Sequence, residues 1–230
     1  MVHYMILGGP VMIPIGIVSI AALSICLEKF FTLARLSPPP PAFLAGISDS
    51  IRRRDWQQAL IICRNAKHPL AQIFDAGLSE ITKTSIDLHA VEEATKLKGD
   101  DVVFRMESSL KLLGAFVTVL PLLGFLGTII GLITAFQQWQ ALGASVTVSQ
   151  LSGGMYQAML TTAAGLILAI PYYLLHHWFA SQLEAGSLRL SHYGTEFISK
   201  IRQAVLAAEE TRAVEIEKPA QRHLEMKNRS

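Results

Sequence analysis

No Asp, Glu, Lys or Arg occurs in residues 1–27, and none occurs in residues 112–183, although the chain carries 20 Lys and Arg and 18 Asp and Glu. A charge at the centre of a bilayer costs several kcal/mol, so two long stretches free of charge are free to enter hydrocarbon. There the backbone must satisfy its own hydrogen bonds, which leaves the helix as the simplest solution. A span needs about 20 apolar residues. The first stretch supplies one, at residues 11–31. The second is too long for one and is interrupted by "QQWQALGASVTVSQ", residues 137–150, so it divides into spans at 112–136 and 155–179. The overall hydrophobic content of 51% would also suit a soluble domain; the distribution of charge, not the total, decides the class.

Lys and Arg resist translocation in short flanking segments. All of them fall within residues 29–111 or 189–229, and none precedes the first span or separates the second from the third. The expected fold is therefore an all-α membrane protein with an outside N-terminus (1–10), a first span (11–31), a cytoplasmic helical domain (32–111), a second span (112–136), an external loop (137–154), a third span (155–179) and a cytoplasmic C-terminal helix and tail (180–230). Trp139 outside, and Tyr172, Tyr173 and Trp178 inside, sit where interfacial aromatics gather. The first ten residues, "MVHYMILGGP", lack the positive n-region of a cleaved signal, so the first span is expected to remain as an anchor. Cys26 within a span and Cys63 in the cytoplasm suggest neither a disulfide nor a metal site.

"SPPPPAF", residues 37–43, must leave the first helix, because consecutive prolines remove donors and push the preceding residue out of α geometry. Beyond this elbow, Ile47, Ile51, Leu60 and Ile61 fit an amphipathic helix, and "HPLAQIFDAGLSEI" restarts one with Pro69 near its N-terminus. From residue 85 onward, mixed charges run into the second span with no strong break after Gly99, which predicts one helix continuing from cytoplasm into membrane. The third span continues likewise into a stripe of Leu190, Phe197, Ile201, Ala204 and Ala208 that should pack, before a charged end that should fray. The Arg52, Arg53, Arg54 cluster fits a solvated face or an anionic lipid contact better than nucleic acid, given a net charge of only +2.

Within the second span Pro121, Gly124, Thr128, Gly131 and Ala135 recur every three or four residues, as do Ala158, Thr162, Gly165 and Ala169 in the third. Small faces let membrane helices approach closely. Each threonine has two readings: it bonds a carbonyl one turn back and merely packs, or the two faces form a shared polar surface. Two matching faces with a Thr on each favour the second.

"LKLLGAFVTVLPLLGFLGTIIGLITAF" followed by "LSGGMYQAMLTTAAGLILAIPYYLLHHWF" resembles the two-helix signature of the ExbB/TolQ/MotA proton-channel family, closest to its ExbB and TolQ branches. "GGPVMIPIGIVSIAALSICLEKFF" resembles the short ExbB-like first span, and "RRRDWQQALIICRNAKHPLAQIFDAGL" the cytoplasmic helices of that group. The resemblance implies a ring, typically a homopentamer, around an ExbD/TolR-like single-span partner, with ion flow doing work on it in the inner membrane. It implies that Thr128 and Thr162 face the pore and that Pro121 and Gly124 mark the bend of the channel helix. Gly127, Gly131, Ala158, Gly165, Ala169 and Pro171 belong to the same packing motifs. Where the branch often has a Glu, this chain has Gln157, also expected to line the pore. The amide keeps hydrogen-bonding capacity without a titratable proton.

Thr and Gln cannot bind and release protons at ordinary pKa. A titrating acid must then come from another chain, and the resemblance assigns it to an intramembrane Asp of the partner. Each charge falling through 100 mV releases roughly 2.3 kcal/mol. The driven process is left open among TonB-dependent import, with a TonB-like protein as a further partner, outer-membrane maintenance of the Tol type with a TolA-like protein, and a specialised secretion or motility role. Sodium is a weaker alternative to protons, and a non-conducting scaffold of the same ring is another, although MotA-type relatives lack that Glu and still conduct. An enzyme using His176 and His177 is disfavoured because adjacent residues on a helix point about 100° apart, and three spans without an intramembrane charge or an internal repeat offer a secondary transporter little cavity. No cofactor, metal or nucleic acid is expected; membrane lipid is.

Overall fold

The computed structural model describes residues 8–34, 38–83, 87–143 and 147–227. The first seven residues of the expected outside segment, Ser37 of the elbow and residues 144–146 of the expected external loop lie outside the described set. Every regular element among the described residues is helical: α1 Met12–Ala34, α2 Pro41–Arg52, α3 Trp56–Asn65, α4 Pro69–Ile81, α5 Leu88–Leu142 and α6 Val148–Lys227. Three of these, α1, α5 and α6, are long and apolar enough to cross a membrane. The uninterrupted run expected from the mixed-charge segment into the second span is present as α5. Both long helices extend further than expected. Gln137 to Gln140 are helical, and so are Ser152 to Gly154, leaving residues 143–147 between α5 and α6. The charged end is helical to Lys227 instead of frayed, in keeping with its many Ala, Glu, Lys and Arg residues, all good helix formers.

The chain forms two compact units, Met1–Ala34 with Arg105–Glu184, and Arg35–Phe104 with Ala185–Ser230; α5 and α6 contribute to both. In the first unit, α1 is launched by a turn at Gly9, which has φ +71° and whose carbonyl accepts from Met12 N at 3.1 Å. Pro14 falls in the first turn, where a helix tolerates it. Val11, Ile15, Ala22, Cys26 and Lys29 then form one buried stripe at helical spacing. Val11 and Ile15 pack with Leu120 of α5 and Ala169 of α6, and Tyr172 O–H donates to the Ser19 carbonyl at 3.1 Å. Lys29 is only 1% exposed, its ammonium donating to the Met106 carbonyl at 2.7 Å. Ile13, Ile17, Ile20, Leu27 and Phe31 lie on the outer face and are all exposed, an apolar surface suited to lipid or neighbouring helices.

In the second unit three short helices pack with the flanking parts of α5 and α6. Pro41 begins α2 and Pro69 begins α4, each at an N-terminal position where the missing N–H costs nothing. His68 Nδ1 caps α4 by accepting from Leu70 N at 3.1 Å. The core is an aromatic stack: Phe43 on Phe74 with centroids 6.1 Å apart, and Phe74 on Phe197 at 4.2 Å. Gly77 faces Thr95 and Phe197, and an added Cβ would collide with both. Leu190, Phe197 and Ile201 of the expected apolar stripe are buried.

One sequence expectation is corrected here. Ile47, Ile51, Leu60 and Ile61 do not share one helix, because the chain turns at Arg54, φ +60°, and restarts with Asp55 capping α3 through Gln58 N at 2.9 Å. The change of phase leaves Leu60 buried and Ile61 52% exposed. Cys63 is buried and free; desolvation, with Asp75 adding to it, pushes its thiol up to about 12, which makes it an inert packing residue.

Phe74 is 2% exposed and flanked by rings on both sides. Phe74→Ala is expected to cost about 3–5 kcal/mol, read as a lower thermal midpoint of the detergent-solubilised chain, while Ile61→Ala stays within about 0.5 kcal/mol. Equal effects from the two substitutions would contradict this packing.

Candidate functional site

The expected small faces of α5 and α6 meet each other inside a single chain. Along the antiparallel seam Ala135 lies against Gly154, Gly131 against Gly154 and Ala158, Gly127 against Thr161, Gly124 against Thr162 and Gly165, and Leu120 against Gly165. The approach is close enough to exclude side chains. A Cβ placed on Gly131 would sit 2.7 Å from the Gly154 carbonyl oxygen, one on Gly154 2.8 Å from the Gly131 oxygen, and one on Gly165 2.8 Å from the Leu120 oxygen. Backbones this near gain dispersion contacts and weak Cα–H···O interactions. Ala158 and Ala169 are buried at 2% and 5% exposure.

The seam sets Thr128 opposite Thr162. Their hydroxyls are hydrogen-bonded to each other. Thr128 Oγ1 also reaches the Gly124 carbonyl at 3.4 Å and, across the seam, the Ala158 carbonyl at 3.3 Å; Thr162 Oγ1 reaches the Gly124 carbonyl of the other helix at 3.1 Å. Each hydroxyl owns one proton and two lone pairs, so two protons serve four contacts. Either Thr128 donates to Thr162 and Thr162 to Gly124, or Thr162 donates to Thr128 and Thr128 to a carbonyl of Gly124 or Ala158. The pair is a two-way hydroxyl chain, and both side chains are only half-buried. It can orient a water or accept from a protonated group on its open flank. It cannot itself take up charge.

Neither threonine is thus an ordinary back-bonded residue. Intrachain packing already partners them.

Gln157 goes elsewhere. Its carboxamide lies against Gly9, where an added Cβ would overlap it. The sequence grouped Gln157 with the threonines; the structure sets it against the turn that launches α1. Pro121 and Pro171 lie within α5 and α6 without interrupting them, each depriving the carbonyl four residues earlier of its helical donor.

Thr161, a polar residue of the third span, was assigned no role from the sequence. It is fully buried, donates within its own helix to the carbonyls of Ala158 at 2.9 Å and Gln157 at 3.1 Å, and fills the space over Gly127. The available signal was Gly127 itself, a residue without a side chain that a bulkier neighbour must cover. Lys29 was read only as the start of the cationic segment. His176 packs over Gly114, while His177 meets the ring of Tyr173 at 4.4 Å. The two imidazoles are 5.4 Å apart and nearly perpendicular. No set of three or more His, Cys, Asp or Glu suited to a metal occurs among the described residues.

Comparison with known proteins gives a consistent set of likenesses. Residues 65–191 match the MotA/TolQ/ExbB proton channel family. The ExbB-like 1 protein of Synechocystis sp. is 31% identical over 166 residues, 71% of this chain and 64% of that protein. The ExbB-like 3 protein of the same organism is 28% identical over 76% of this chain and 82% of its own length. The Tol-Pal system protein TolQ of Pseudomonas aeruginosa is 26% identical over 58% of this chain and 61% of its own length. The chain therefore spans less than two thirds of the ExbB-like 1 and TolQ relatives.

Alanine at Gly131 is expected to separate the helices and cost about 1–3 kcal/mol, because its Cβ would meet backbone on the facing helix. Gly153→Ala, with nothing within 4 Å, serves as the control and should be neutral or stabilising. Thermal unfolding of both variants in detergent checks the seam; an unchanged Gly131→Ala would contradict it.

Proposed function

Because the chain belongs to the MotA/TolQ/ExbB proton channel family, we propose that it is the channel-forming subunit of a motor that couples proton-motive force to work at the cell envelope. It is a transport component and not an enzyme. In this reading it spans the inner membrane three times, with the N-terminus and the α5–α6 connection outside and the C-terminus in the cytoplasm, consistent with the absence of Lys and Arg from residues 1–28 and 112–188. Copies assemble as a ring, with five the expected number. An ExbD/TolR-like single-span partner occupies the interior and supplies an Asp.

The observation that carries the reading is the hydroxyl chain of Thr128 and Thr162 in a stretch without Asp, Glu, Lys or Arg. Such a pair offers hydrogen bonds that can reverse direction at little cost, which suits a neighbour that is alternately carboxylate and carboxylic acid. To the carboxylate a hydroxyl donates; from the acid it accepts. The charge-changing step then belongs to the partner, and the subunit supplies the polar flank along which the acid is protonated from one side and deprotonated to the other. Gln157, held against Gly9, positions the start of α1 against α6 instead of taking part in the transfer. The work driven is import of the TonB-dependent kind through a TonB-like protein. The TolQ likeness favours a Tol-type motor with a TolA-like protein as the second reading.

The experiment is proton flux in liposomes holding the chain with and without an ExbD/TolR-like single-span protein. Flux should require the partner. Thr162→Val and Thr128→Val, nearly the same size, should each lower flux at least about tenfold, the loss of roughly one hydrogen bond to a charged group, with co-purification of the partner intact. Thr161→Val, whose hydroxyl bonds only its own helix, should lower it little, and Gln157→Ala modestly. Full flux from both Thr128→Val and Thr162→Val would reduce the pair to packing, and a well-assembled complex that passes no ions at all would identify a non-conducting scaffold.

A further inference from the structure

The turn between α2 and α3 rests on an arginine in a conformation that ordinarily calls for glycine. Arg54 has φ +60°, a left-handed setting that is strained for a residue with a side chain. Around it Arg53 N donates to the Asp49 carbonyl at 3.0 Å, Arg54 N to the Ile51 carbonyl at 3.0 Å and Asp55 N to the Ser50 carbonyl at 2.9 Å, the closure that a C-terminal glycine usually provides. Strain retained where a glycine would relieve it points to a use for the side chain.

The surroundings say what that use is. Arg52 and Arg53 are both committed to Asp49, at 2.6 and 2.9 Å, and the Arg52 hydrogen bond holds the Asp49 carboxyl below the usual carboxylate range. Asp55 is engaged by Gln58 N. The Arg54 guanidinium makes no hydrogen bond or ion pair among the described residues. It lines a cavity of about 560 Å³ together with Ser48, Asp49, Arg52, Lys200 and Gln203, over an apolar floor that includes Ile51 and Ala204. Lys200 Nζ donates to Ser48 Oγ at 2.8 Å and to Glu196 at 2.7 Å, so one of its three N–H groups is left over. Ser48, accepting from Lys200, keeps its own O–H to give. The lining thus presents three cations against one carboxylate that two arginines already occupy, with free donors on Arg54, Lys200 and Ser48.

Convergent donors on a planar guanidinium, an ammonium and a hydroxyl match the oxygens of a phosphate, and the volume is that of a small-molecule site. A solvated charge run would need neither the strained backbone nor the apolar floor. We propose that this cavity binds a small phosphate-bearing ligand, with Arg54 taking the phosphate through paired N–H groups, Lys200 and Ser48 completing its shell, and the apolar floor receiving the carbon portion.

The phosphate comes either from a lipid headgroup or from a soluble phosphomonoester, and calorimetric titration of the full chain in neutral detergent distinguishes them. The probes are sn-glycerol 3-phosphate, dihexanoyl phosphatidic acid and, as the zwitterionic control, dihexanoyl phosphatidylcholine. Saturable binding of a phosphomonoester without binding of the control is expected; a clear preference for the phosphatidic acid assigns the lipid source, and equal affinity the soluble one. Arg54→Gly removes the guanidinium while suiting the left-handed backbone, so it should weaken binding at least tenfold with the thermal midpoint held or raised. Absence of binding by both phosphomonoesters at millimolar concentration, unchanged affinity in Arg54→Gly, or binding of the phosphatidylcholine control as tight as that of both would overturn the proposal.

Discussion

The close approach of two helix backbones organises the first unit. Where Gly131 faces Gly154 and Gly165 faces the Leu120 carbonyl, there is room for backbone and nothing else, so α5 and α6 can mesh in one register only. In lipid no hydrophobic force draws apolar helices together, and fit between surfaces must do so. Sliding the helices by one turn would drive Ala158 or Thr161 into a position that only glycine can face. That register is what sets Thr128 opposite Thr162 and Thr161 over Gly127. It also builds the shared floor of Leu120 and Ala169 on which Val11 and Ile15 rest.

Polar chemistry in this unit is economical because every buried group must find its partner without water. Thr161 satisfies its hydroxyl within its helix, Tyr172 bonds Ser19, and Lys29 gives its ammonium to a backbone carbonyl. The Thr128–Thr162 pair differs in bonding across the seam: each hydroxyl reaches the other and a carbonyl of the facing helix. That linkage is the difference between a hydroxyl that packs and one that can change direction. An acid from another chain would find there a surface equally able to donate and to accept, which is what a cycle of protonation and deprotonation asks of its surroundings.

The second unit uses water-soluble rules. Its stability comes from stacked aromatics around Phe74 and from helix starts set by Pro41, Asp55, His68 and Pro69. Ion pairs such as Arg64 with Asp75 and Arg202 with Glu92 are largely exposed and add little. Against that background the guanidinium of Arg54, which makes no ion pair among the described residues, stands out, since Arg52 and Arg53 are both paired with Asp49.

The three spans, the small faces and the continuity of the long helices were legible in the sequence because each depends on local quantities: the absence of charge over some twenty residues, a three-four spacing of small side chains, the lack of helix breakers. Thr128 and Thr162 could be named as a pair for the same reason. The phase break at Arg54 was not legible, since a left-handed arginine looks in sequence like any other charge, and Ile61 was misplaced as a result. Gln157 illustrates the remaining limit. Its amide character was plain, yet its contact with Gly9, separated from it by most of the chain, exists only because α1 returns to pack on α6. Which segments are helical, which can enter a membrane and which faces are small follow from side-chain chemistry and helical period, and so can be read from the chain alone. Which hydroxyls share protons and which glycines are obligatory depend on distances between helices that no spacing within one helix encodes, and these came only with the packed fold.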